Sequence, residues 1–108
     1  MSLDAQAAKL LEMTANSNAP ALGEGTVAES RAGFATLTEM VGVKAPAPKS
    51  VAEVRIPGPG GTIRTLAITP DTQTTGPRPI LIYYHGGGWV IGSPETHKAE
   101  ACYYAAAA

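Results

Sequence analysis

Apolar residues follow two different periods along this chain, and the change between them marks its organisation. Leu3, Ala7, Leu10 and Leu11 recur at helical spacing with Asp4, Lys9 and Glu12 on other faces, which predicts a short amphipathic helix. Asn16 to Gly25 breaks it. Thr26 followed three residues later by Glu29 is a capping-box pattern, and Val27, Phe34, Leu37 and Val41 continue as an apolar stripe. A second helix is therefore expected to stop near Gly42. Lys44 to Ser50, with Pro46 and Pro48, reads as an extended linker, because proline fixes φ and donates no backbone hydrogen bond. Beyond it the period becomes two. Ala52, Val54 and Ile56 alternate with Glu53 and Arg55, Pro57 to Gly61 forms a turn, and Thr62 to Thr69 is β-rich through Ile63, Leu66 and Ile68, which together predict a β-hairpin.

Pro70 to Pro79 is polar and turn-rich and leads into Ile80-Leu81-Ile82-Tyr83-Tyr84. An uninterrupted apolar run bounded by proline and glycine suits a strand buried on both faces, as in a mostly parallel sheet. A glycine loop, His85-Gly86-Gly87-Gly88-Trp89, follows at once. Ser93-Pro94-Glu95 then offers an N-cap, a proline at the first helical position and an acid in the first turn, so a helix is expected from about Pro94 to the end. Met13 and Met40 read as core fillers at helical spacing. Cys102 reads as a small buried helix residue, and Tyr103 and Tyr104 as residues packing that helix onto a sheet. The order of helices, hairpin, buried strand and helix is consistent with an α/β domain.

Composition narrows the function. The chain has 108 residues, 44% hydrophobic and 16% charged, with a net charge of −1 and no basic stripe to neutralise a phosphate backbone, so nucleic acid is not expected as a partner. One cysteine excludes an internal disulfide, and a single thiol suits a reducing cytosol. Met1 to Ala15 carries charges where a signal peptide would be apolar, and no stretch has the run of apolar residues that a membrane-spanning helix needs. A cytoplasmic location is expected. His85 and His97 with one cysteine miss the short ligand spacings usual for zinc, so neither a metal nor a cofactor is expected.

A glycine run between a strand and a helix lets the backbone approach a ligand closely and aim N–H groups at negative charge. That charge could be a phosphate, or the oxyanion formed when an ester carbonyl is attacked. No Gly-Lys-Ser/Thr follows Gly88, and position 91 is Ile91 where a dinucleotide loop would need glycine, so the phosphate reading lacks its partners. His85-Gly86-Gly87-Gly88-Trp89, with Gly92 and Glu95-Thr96-His97 beyond, closely resembles the hormone-sensitive-lipase-like family of α/β-hydrolase carboxylesterases. The preceding order of two helices, proline linker, hairpin and Pro79 to Tyr84 is similar to that family's entry into its core.

The resemblance implies the N-terminal part of an α/β-hydrolase fold, with cap helices over residues 1–45 and the start of the core over 46–108. It implies that the N–H groups of Gly86 and Gly87 bind the tetrahedral oxyanion, that His85 and Gly88 shape the loop, and that Trp89 lines the substrate pocket. The substrate class is a small-molecule carboxylic ester, attacked by a serine. The family also requires a Gly-x-Ser-x-Gly elbow, an acid and a histidine after the loop, and these are absent from the sequence. Ser93 lacks the flanking glycines of an elbow, and a Ser93–His97 pair would lack its acid. The chain is thus expected to be inactive alone, to need the remainder of a hydrolase polypeptide roughly three times longer, and to leave Ile80 to Tyr84 without neighbouring strands. The alternative is a non-catalytic truncated relative that serves as an interaction module.

Overall fold

The computed structural model describes residues 3–17, 23–73 and 75–108. The middle of the expected break at Asn16 to Gly25, the start of the chain and residue 74 lie outside the described residues. Helix α1 spans Ala5–Ala15, α2 Val27–Val41 and α3 Lys98–Ala107; strands β1, Pro48–Gly58, and β2, Gly61–Pro70, form an antiparallel pair. The structure thus holds three helices and a two-stranded sheet among its described residues.

Local chemistry accounts for the helix starts. Asp4 caps α1, its carboxylate accepting from the Gln6 and Ala7 N–H groups at 2.9 and 3.4 Å. Thr26 caps α2 in a complete capping box: Thr26 Oγ1 accepts from the Glu29 N–H at 3.2 Å, and Glu29 accepts from the Thr26 N–H at 2.8 Å. These bonds hold the Glu29 carboxyl below the usual carboxylate range, the Thr26 backbone N–H contributing most. α2 ends at Gly42, as its pattern predicts.

The hairpin closes through Pro59 and Gly60, with Gly58 opposite Gly61, so its turn is shorter than the five residues expected. Gly61 has φ +124°, a conformation suited to glycine. β1 begins at Pro48, inside the predicted linker, with a register irregularity between Pro48 and Ser50. Arg55 stands directly opposite Arg64, an unfavourable like-charge pair. Glu53 relieves it by pairing with both, at 3.1 Å to Arg55 and 2.7 Å to Arg64.

The burial expected of Ile80 to Tyr84 and the start expected of α3 need correction. Ile80 to Tyr84 has no neighbouring strand among the described residues, and a strand exists only through a partner's hydrogen bonds. Ile80 and Tyr84 are 90% and 86% exposed, against the expected burial. α3 begins at Lys98 and not near Pro94: Pro94 to His97 forms a separate turn, which Ser93 caps by accepting from the Glu95 and Thr96 N–H groups at 3.2 and 3.3 Å. α3 packs on β2 and touches β1 at fewer points.

The core is small. Cys102, 4% exposed, is buried as expected and is a free thiol, while Met13 and Met40 are exposed and fill no core. The Cα radius of gyration is 16.9 Å, against roughly 13 Å for a compact domain of this length. The accessible surface is 8726 Å², against roughly 5,700 Å² for a folded monomer of this mass. The apolar faces of the helices and of the Ile80 to Tyr84 segment are therefore largely unpacked. No helix among the described residues is long and apolar enough to cross a membrane.

Candidate active site loop

From Gly86 onward the backbone turns sharply. Gly87, Gly88 and Trp89 have φ of +132°, +58° and +60°, and Gly92 has +89°. Three successive residues in that region curl the chain so that the Val90 and Ile91 N–H groups both donate to the Gly87 carbonyl, at 3.1 and 3.0 Å. Gly87 is required here on two counts: its φ is hostile to a side chain, and a Cβ would collide with the Ile91 carbonyl. Gly92 is similarly confined, a Cβ there falling 2.7 Å from the Gly86 carbonyl and 2.9 Å from His85 Nδ1. Trp89 is the single non-glycine residue at positive φ among the described residues, a conformation that costs of order 1–3 kcal/mol and persists only where the surroundings impose it.

The loop's inner hydrogen bonds leave its leading donors unspent. Neither the Gly86 nor the Gly87 N–H donates to another described residue. Both border an open cleft of about 500 Å³ lined by Arg31 and by His85 through Gly92. Among the described residues, Arg31 and the loop's own histidine are the charged or ionisable ones lining this cleft, and no carboxylate of them lines it. Trp89 borders the cleft, but its indole is fully exposed and covers nothing among the described residues.

His85 is tied into the loop. Its Nδ1 lies 2.8 Å from the Gly86 carbonyl, which can only accept, so Nδ1 carries the proton and donates. Its ring stacks on that of His97, with centroids 5.2 Å apart and 25° between planes. His97 is half-buried at the start of α3: Phe34 and Tyr83 also meet its ring, at 5.9 and 6.5 Å. The structure does not make a catalytic pair of Ser93 and His97. His97 Nδ1 approaches the backbone carbonyl of Ser93 at 3.4 Å and the Thr96 hydroxyl at 2.9 Å, while the Ser93 hydroxyl is occupied by the turn that it caps.

Arg31 is a residue that the sequence did not single out. From α2, its Nε donates to the Val90 carbonyl at 2.7 Å, across 59 positions of sequence. Beyond the cleft, Arg64 on β2 donates to Glu95 at 2.6 Å and anchors the turn after the loop to the hairpin. The Arg64 hydrogen bond is the main reason that the Glu95 carboxyl is lowered to about 2, and the same partners raise the Arg64 guanidinium further above its ordinary range. Tyr104 meets Tyr83 at 5.6 Å, and the Tyr103 hydroxyl donates to the Lys44 carbonyl at 3.1 Å, so these tyrosines hold α3 to the apolar segment and the linker and not to a sheet face. Among the described residues no three His, Cys, Asp or Glu side chains gather into a metal-binding group.

The fold of this chain is similar to part of an ester hydrolase of known structure. The ester-hydrolase EH1AB1 from the metagenome of Lake Arreo, complexed with a derivative of bipyridine phosphonate, superposes with a TM-score of 0.79 and 31% identity over 94% of this chain and 33% of its own. The carboxylic ester hydrolase LipN of Mycobacterium tuberculosis is 43% identical over 49 residues, which are 45% of this chain and 12% of LipN. Esterase LipI of the same organism is 36% identical over 59 residues, 54% of this chain and 18% of its own. No protein-family model matches. The chain is thus related to the hormone-sensitive-lipase-like carboxylesterases, and it spans between an eighth and a third of the length of these relatives.

Proposed function

We infer that residues 85–89 form the oxyanion-hole segment of a carboxylic ester hydrolase acting through a serine acyl-enzyme. In this reading the Gly86 and Gly87 N–H groups receive the charge that develops on the ester carbonyl oxygen, joined by an N–H next to the nucleophile. The observation that carries it is the loop geometry: two adjacent unspent donors on a backbone curled by three positive φ angles, facing a cleft without carboxylates. Fixed N–H dipoles of this kind stabilise the transition state without reorganising as charge appears. His85 and Gly88 hold the loop's shape, and Trp89 is a wall of the acyl or alcohol pocket once apolar surface packs against it.

The nucleophile, the acid and the base lie outside residues 1–108. Residues 1–45 serve as cap helices and 46–108 as the opening of the core, and the exposed apolar face of Ile80 to Tyr84 is the surface against which the remaining strands of a hydrolase pack. The substrate is a small-molecule carboxylic ester. No cofactor enters the chemistry, and the cytoplasm is the compartment that the lone thiol suits.

The test is direct. The 108-residue chain alone should hydrolyse p-nitrophenyl acetate no faster than buffer and should take no label from a fluorophosphonate probe. A stoichiometric serine adduct would overturn the placement of the nucleophile outside the chain. In a hydrolase whose own loop is replaced by residues 79–97, kcat for the acetate ester should remain within an order of magnitude, and Gly87→Ala should lower it by about 10² to 10³.

A further inference from the structure

We propose that Arg31 is a positioning residue for the glycine loop, and that one face of α2 clamps the loop at both ends. Arg31 and Phe34 are separated by three positions and so share a face of α2. Arg31 Nε holds the Val90 carbonyl at the loop's far end, at 2.7 Å. Phe34 meets the His97 ring, which stacks on His85 at the loop's near end. No Cα of α2 comes within 8 Å of another helix or strand among the described residues, so the Arg31 hydrogen bond and the Phe34 ring contact are what tie this face to the loop.

The clamp acts where the backbone most needs it. Val90 follows Trp89, the bulky residue at φ +60°, and the Val90 N–H and carbonyl are both engaged, one by Gly87 and the other by Arg31. Fixing the Val90 carbonyl fixes the peptide plane between Val90 and Ile91, whose N–H donates to the Gly87 carbonyl, and so braces the curl that exposes the Gly86 and Gly87 donors. A movement of α2 is thereby passed to the donors through one hydrogen bond and one ring stack. The catalytic meaning of this coupling rests on the oxyanion-loop reading; the positioning itself rests on geometry and is measured without turnover.

The side-chain lengths give a clean experiment on the full 108-residue chain. The amide nitrogen of glutamine reaches the position of arginine Nε, so Arg31→Gln keeps an N–H donor without the charge, whereas Arg31→Met keeps the length without the donor. Hydrogen exchange at the Val90 and Ile91 amides should speed up severalfold, to about tenfold, in Arg31→Met, the scale of one hydrogen bond, and stay near the parent rate in Arg31→Gln. Trp89 fluorescence anisotropy should fall in the first variant only. Exchange at Val54 and Ile56 in the hairpin should stay unchanged in both. Unaltered loop exchange in Arg31→Met would overturn the proposal, as would equal acceleration in both variants, which would assign the effect to charge. Loss of protection in the hairpin as well would overturn it too, by making Arg31 a general stability residue. Esterase inactivity of a longer polypeptide that carries these residues would count against the oxyanion reading and leave these rates as they are.

Discussion

Glu95 shows how a single exposed carboxylate holds a turn in place. Its pKa is lowered to about 2, chiefly by the hydrogen bond from Arg64 and then by backbone and Ser93 contacts at the turn. A carboxylate with a depressed folded pKa contributes stability that is fully present above its ordinary value of 4.5 and is lost as pH falls through the folded value. Between about pH 4.5 and about pH 2 the turn after the glycine loop should therefore loosen from β2. Carboxyl-carbon NMR titration of Glu95 checks the shift, and the Arg64→Gln variant should move its midpoint back up toward 4.5. Because the pair is exposed, the shift should shrink in high salt. Gly87 makes the complementary case: its alanine variant meets the Ile91 carbonyl, so the Val90 and Ile91 amides should lose protection while the hairpin keeps its own.

At the scale of elements, local chemistry decided what could be read from the residues. Thr26 and Glu29 announce the start of α2, Gly42 its end, and the alternation from Ala52 to Ile56 the first strand, because caps and pleats depend on neighbours a few positions away. Thr26→Ala should cost about 1 kcal/mol of helix stability, read as lost α2 helicity in far-UV circular dichroism with unchanged hairpin exchange. Ile80 to Tyr84 was not legible in the same way. Its apolar run announces a strand, yet a strand is a relation between segments, and pairing does not arise among the described residues. The shift of α3 to Lys98 has a local cause: Ser93 and Thr96 spend their capping bonds on a single turn first. The sharp turn of the glycine loop was legible from its three consecutive glycines. Its hydrogen bond from Arg31 was not, since a contact 59 positions apart leaves no periodic trace.

At the scale of the molecule, one buried side chain among the described residues and an accessible surface about half again that of a compact protein imply weak cooperativity. The isolated chain should bind an apolar dye such as ANS, melt over a broad range and associate with rising concentration, with Ile80, Leu81, Ile82 and Tyr84 as the sticky edge. A sharp, concentration-independent melt of a monomer would instead favour a self-sufficient interaction module. The same edge has a consequence in time. In a polypeptide with the proportions of the Lake Arreo ester hydrolase, residues matching this chain make up a third of the total. If they are made first, at about 5–20 residues per second the remaining two thirds take roughly 10 to 40 s to emerge from the ribosome. Throughout that interval the Ile80 to Tyr84 segment would face the cytosol with its backbone unpaired, which makes it the first place on the nascent chain where a chaperone would bind.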